Sequence, residues 1–186
     1  MPLIGIVAKT KDIQSIKKEI ELNNIKIIEM TEKSIKNLKN IKFDEIILMQ
    51  DIKLEKEEYK YMKEIISNVN YLIINEDIKT EILKEIQIEK PIKLITFGFN
   101  HKATITVSSI KEDKIIICVQ RDIQKNNRNI IEVQEREIYV QRAKKIYNKL
   151  AVFIIEELHN SWKTYKNNKK IEKINFLCRQ IQKYVV

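Results

Sequence analysis

The stretch Lys93-Leu-Ile-Thr-Phe-Gly-Phe-Asn-His101 decides how the chain reads. An apolar, strand-like run enters Gly98, one of only two glycines among 186 residues. A glycine at that point lets the backbone take a positive φ angle or lie against another group. The patterns before and after it differ, so the stretch joins two kinds of architecture.

Upstream, short β-branched runs at 3–8, 25–30, 45–49, 71–75 and 94–97 are almost continuously apolar, as strands covered on both faces are. Amphipathic segments separate them. Ile13, Ile16 and Ile20 mark one apolar stripe, and Tyr59, Met62, Ile65, Ile66 and Val69 mark another. Residues 31–40 read as a shorter helix with Thr31 as N-cap, and 77–86 as another with Asp77 as its cap. The alternation predicts an α/β fold, a mostly parallel sheet flanked by helices over residues 3–97.

Downstream, 103–110, 114–120 and 129–140 read as three strands with hairpin-sized polar links at 111–113 and 125–128, a β-meander. Residues 1–140 thus form one α/β domain. A helix over 141–159, a polar break, and a last helix over 170–184 make residues 141–186 a basic C-terminal helical segment.

The formal charge is +9. From Gln141 onward there are eleven Lys/Arg against three acids, +8, which leaves +1 for everything before it. Lys163, Lys166, Lys169, Lys170 and Lys173, interleaved with Trp162 and Tyr165, are the candidate partner-binding residues. They suit another protein, an acidic surface or nucleic acid, and equally the solvated face of a helical hairpin. Cys118 and Cys178 are single, with neither metal-ligand nor disulfide spacing, and read as buried thiols. No apolar run approaches the roughly 20 residues of a membrane span, and the start lacks a signal-peptide pattern. The expectation is a cytoplasmic protein that is not transmembrane.

Tyr71-Leu-Ile-Ile-Asn75-Glu76-Asp77, a helix, and then Leu94-Ile-Thr-Phe-Gly98-Phe-Asn100 resemble the end of the central ATP-binding domain of Mur ligases and folylpolyglutamate synthases. In that family a strand ending in Asn-x-Asp-Asp precedes a helix and a strand ending in an aromatic-Gly pair. Tyr147-Asn148-Lys149-Leu150-Ala151 sits where its next helix would begin, and Phe43 to Asp51 resembles its preceding strand. The resemblance covers most of residues 3–158 and implies a nucleotide site. Lys9 and Thr10 would stand at the phosphate loop, Asn75 near the adenine, and Gly98 where the base approaches the backbone. It also implies ATP with Mg²⁺ as cofactor.

The departures lie where phosphate chemistry would be. The first strand run, closed by Gly5, leads into Ile6-Val-Ala8-Lys9-Thr10-Lys11-Asp12. No glycine there lets the backbone wrap an anion. The family's metal-binding Glu and His have no counterpart. His101 reads as an exposed turn residue, and His159 as a helix C-terminal residue. Local readings stand beside the nucleotide ones: a solvated turn for Lys9-Thr10, a strand-end cap for Asn75. The adjacent acids Asp44/Glu45 and Glu76/Asp77 read as solvated.

The preferred reading is a non-catalytic Mur ligase-like binding or interaction module, its phosphate loop lost, with no catalytic residue, resident metal or cofactor. One alternative is an ATP-dependent acid–amino-acid ligase, or part of one. The other is a binder of nucleic acid or an acidic partner through the basic tail.

Overall fold

A computed structural model describes residues 1–20, 24–78, 82, 91–140 and 145–159. The parallel half comprises β1 (Leu3–Val7), α1 (Thr10–Glu19), β2 (Lys26–Glu29), α2 (Glu32–Leu38), β3 (Glu45–Leu48), α3 (Lys56–Ile66), β4 (Tyr71–Asn75) and β5 (Lys93–Gly98). After it come β6 (Ile105–Ile110), β7 (Lys114–Val119), β8 (Ile123–Gln124), β9 (Ile130–Ile131), β10 (Gln134–Tyr139) and α4 (Ile146–His159). The eight-stranded sheet runs β10-β7-β6-β5-β4-β3-β1-β2, with a separate β8-β9 ribbon. Strands β2 through β6 are parallel neighbours, and β6, β7 and β10 pair antiparallel.

Alternation along the central strands divides the apolar side chains between two faces. Tyr71 and Ile73 of β4 join Ile4, Ile6, Ile47 and Phe97 under α1 and α4. Leu72 and Ile74 join Val7, Ile46 and Leu48 under α2 and α3. The expected stripes are the buried ones: Ile13 and Ile16 on α1, Met62, Ile65 and Ile66 on α3. Thr31 caps α2, its hydroxyl accepting the Ser34 N–H at 3.3 Å while Ser34 Oγ accepts the Thr31 N–H at 2.8 Å. Gly5 lies inside β1 rather than at its end. A Cβ there would come within 2.5 Å of Met30 and 2.6 Å of Ile46, so this glycine serves packing between strand and neighbours.

The meander is present with one addition. The segment expected as a single strand over 129–140 is two strands, β9 and β10. The link from β7 carries the β8-β9 ribbon, whose Ile123 and Ile131 enter the α4-side core. Only Phe97↔Ile105 and Gly98↔Thr106 pair β5 with β6, so the antiparallel strands are staggered toward the carboxyl ends of the parallel ones. Cys118 is buried, as its apolar run predicts.

Helix α4 contributes Ile146, Leu150, Phe153, Ile154 and Leu158 to the same core as the strands. The division at residue 140 therefore marks a change of secondary structure, not of core. The start of this helix at 141–144, the 77–86 helix beyond Ile78 apart from Ile82, and everything after His159 lie outside the described residues. Among those are Cys178 and the lysines at 163, 166, 169, 170 and 173. No helix among the described residues is long and apolar enough to cross a membrane.

One polar pair lies inside this frame. Glu45 opens β3 on the face it shares with Ile4 and Tyr71, and it is completely buried rather than solvated. His159, the last residue of α4, brings Nε2 to 2.8 Å from Glu45 Oε1. Burial, and then the Glu45 carboxylate, push the Tyr71 phenol from 10.0 up to about 12, while its hydroxyl donates to the Gln124 carbonyl at 2.8 Å.

Removing one member of a buried pair leaves the other without compensation, which costs about 3 kcal/mol or more. His159→Leu is therefore expected to lower the urea-unfolding free energy by about that amount. Adding Glu45→Leu is expected to recover most of it, and simple additivity of the two losses would refute the coupling. The Tyr71 shift has its own signature. Between pH 10 and 12 the unfolded phenol has released its proton and the native one has not. Stability is then whole below pH 10 and falls as pH rises through 12. Urea titrations across that range are expected to show the slope, reduced in Tyr71→Phe.

Candidate functional site

The parallel strands end together on one edge of the sheet, and the strand order reverses between β1 and β3. Open α/β sheets accept ligands outside the carboxyl ends of their strands near such a switch point. Lys9, Thr10, Asn75 and Gly98 all fall on this edge, in two groups. The Lys9-Thr10 turn follows β1, while Asn75 and Gly98 end the adjacent strands β4 and β5. With β3 and β4 between them, β1 and β5 stand about 14 Å apart at roughly 4.8 Å per strand.

The turn after β1 is short. Ala8 and Lys9 alone connect Val7 to Thr10, the first residue of α1. Lys9 is exposed and occupies the N-cap position without a side-chain capping bond. Thr10 Oγ1 donates to Glu29 Oε1 at 2.7 Å, at the end of β2. Asp12 stands in the first turn of α1, where its charge complements the helix dipole. Its Oδ1 accepts from Asn148 Nδ2 at 3.2 Å, and Asn148 is buried in the first turn of α4. This edge thus carries a carboxylate of its own beside two helix N-termini.

The second group is tightly interlocked. Asn75 is buried; its Oδ1 accepts the Asp77 N–H at 3.1 Å and its Nδ2 reaches the Met49 carbonyl at 3.5 Å. Both donor and acceptor of that amide therefore serve the strand ends. Asp77 receives the Phe99 N–H at 2.6 Å on Oδ2 and the Asn100 N–H at 3.1 Å on Oδ1. The Tyr147 hydroxyl, on α4, donates to Oδ2 at 3.1 Å. Burial and this bond raise the Tyr147 pKa.

Gly98 makes the arrangement possible. Its φ is +154°, and a Cβ on it would lie 2.5 Å from Asp77 Oδ2. The absent side chain leaves room for a carboxylate of this chain, close beneath the turn. Asn100 continues the turn by accepting the Lys102 N–H at 2.9 Å, and Phe99 packs edge-to-face on Tyr147 with ring centroids 5.4 Å apart.

Sequence pattern singled out Asn75, Asp77 and Gly98 but not what joins them. Tyr147 and Asn148 were visible only as part of a helix signature. Asp12 gave no signal, since a first-turn acid is ordinary in any helix. His101 is exposed in the turn, and His159 meets Glu45 at the far end of α4. No protein-family model matches the chain, and no curated protein matches it at a significant level.

The close approach of Asp77 makes Gly98→Ala a test of the geometry. It is expected to cost about 1–3 kcal/mol, the range for residues held in sparsely populated backbone regions. In an Asp77→Ala background the same change is expected to cost clearly less, because the atom met by the new Cβ is gone. Equal costs in both backgrounds, by chemical denaturation, would assign the strain to the backbone alone.

Proposed function

We propose that this chain is a non-catalytic α/β binding module of the Mur ligase central-domain type, retaining the sheet and lacking the phosphate cradle. One observation carries the reading: the connection from β1 to α1. Phosphoryl-transfer sites work by positioning and by neutralising phosphate charge. Their loops do so with glycine-rich backbone that wraps the anion. Here two residues span the gap, Thr10 is bonded to Glu29, and Asp12 puts a negative charge in the first turn of the helix.

The residues present do not fit the phosphates of ATP with Mg²⁺. A triphosphate at this helix start would meet the Asp12 carboxylate at the distance of a helical turn. Asn75, the other residue the resemblance assigns to nucleotide, has its amide bonded to the Asp77 N–H and the Met49 carbonyl. The order of strands, the Gly98 turn and the Asn148 helix support the kinship in architecture. The function proposed is accordingly recognition without turnover, the module offering its edge to a partner.

Calorimetric titration with ATP and Mg²⁺ is expected to give no saturable heat and no rise in melting temperature. Lys9→Ala is expected to behave identically. Micromolar binding that disappears in Lys9→Ala would overturn this proposal and restore the ligase reading.

A further inference from the structure

The Gly98 turn presents more than its internal bonds. Phe99 is 44% exposed although its backbone is held by Asp77 and its ring rests edge-on against Tyr147. It is thus a fixed aromatic, with ring surface open to solvent. Exposed polar and cationic residues neighbour it in the chain and at the start of α4. His101 and Lys102 follow in the same turn and are exposed. Arg121 donates from its guanidinium to the Lys102 carbonyl at 3.0 Å, which fastens a further cation to the turn. Lys145, exposed, lies two residues before Tyr147 and accepts the first N–H bonds of α4 on its carbonyl.

The nearby acids Asp77 and Asp122 are exposed as well, and their carboxylates are engaged in hydrogen bonds: Asp77 with the Phe99 and Asn100 N–H groups and the Tyr147 hydroxyl, Asp122 with the Val133 N–H at 3.1 Å. The turn itself is stiff. Ala103 N–H bonds the Asn100 carbonyl at 3.0 Å, and the Thr104 N–H bonds Thr96 Oγ1 at 2.9 Å.

We propose that this turn binds single-stranded nucleic acid, Phe99 stacking on an unpaired base while Lys102, Arg121 and Lys145 meet the flanking phosphates. A fixed aromatic with cationic residues near it is the pattern that binds single strands without strong sequence preference. An acidic polypeptide would use the same cations but would gain little from the open ring face. The site is separate from the β1 turn, and its binding does not depend on whether ATP is bound there.

The test is fluorescence anisotropy of the full chain with a labelled single-stranded poly(U) of about 20 nucleotides, at about 50 and about 200 mM salt. Phe99→Ala is expected to weaken binding about fivefold or more, the lower end for loss of one stacked base. Phe99→Trp is expected to retain binding and to show tryptophan quenching on RNA addition beyond that of wild type. Lys102→Gln with Arg121→Gln is expected to weaken binding and to lower the salt slope by about 2. Circular dichroism and melting establish that each variant is folded. Unchanged affinity in folded Phe99→Ala, absence of quenching in Phe99→Trp, or equal competition by poly-glutamate would overturn the proposal.

Discussion

A single carboxylate, that of Asp77, gathers the end of β4, the turn after β5 and the start of α4 onto one point. It accepts two consecutive backbone N–H groups and a phenol hydroxyl. Hydrogen bonds to an ionised acceptor are roughly twice as strong as neutral ones. The N–H groups of a turn that leaves a sheet would otherwise have to find water or one another. Gly98 is the condition for this, since any side chain would occupy the volume in which the carboxylate lies. The turn then delivers Thr104 beside Thr96 and starts β6 in parallel register with β5, so the antiparallel half of the sheet depends on the same contact.

Helix α4 is fixed at both ends by polar contacts and along its length by apolar ones. Tyr147 meets Asp77 at one end, and His159 meets Glu45 at the other. Asn148 ties it to α1 through Asp12, while Lys149 pairs with Glu19 at 2.8 Å. The apolar body between them supplies most of the favourable free energy, since nonpolar burial has no directional requirement. The polar ends favour the one rotation and sliding position of the helix that brings these pairs together. A carboxylate at the start of β3 is a poor choice for stability alone, because buried polar pairs seldom exceed an apolar replacement. It is a good choice for register.

The parallel strands were legible because burial on both faces leaves an unmistakable run, as in Ile46-Ile-Leu48 and Leu72-Ile-Ile74. Helix stripes and the Thr31 cap were legible for the same reason: each is a local pattern with a local physical cause. What escaped the sequence was long in range. Glu45 and His159 lie more than a hundred positions apart, and the Asp12–Asn148 bond spans 136 positions. Glu45 follows Asp44, whose carboxylate accepts the Leu3 N–H at 2.8 Å, and nothing in the sequence separates a solvated acid from one folded under a helix. Strand β9 was read as one end of a longer strand because Val133 interrupts no apolar pattern, and the two-residue β8 was not read as a strand at all. Asn75 was legible as a strand-end residue, but whether its amide faced a ligand or Asp77 depended on the loop's path.

The edge of the sheet carries two differently built turns. At the β1 side, Asp12 and Glu29 place carboxylates near the helix start, Thr10 is tied to one of them, and Lys9 and Lys11 stand exposed beside them. At the β5 side the Asp77 carboxylate, exposed but bonded to the Phe99 and Asn100 N–H groups, shares the turn with the exposed Phe99, His101 and Lys102, with Arg121 fastened beside them. An anion approaching the first side meets carboxylates and the exposed Lys9 and Lys11 together. Approaching the second, it meets Lys102 and Arg121 near an aromatic ring and the hydrogen-bonded Asp77 carboxylate. Coulomb energies between exposed charges are small individually and act within about 8–10 Å at ordinary salt. The two sides, about 14 Å apart at roughly 4.8 Å per strand, therefore act as distinct surfaces. The Gly98 turn differs from the β1 turn in the exposed aromatic ring that it holds in place.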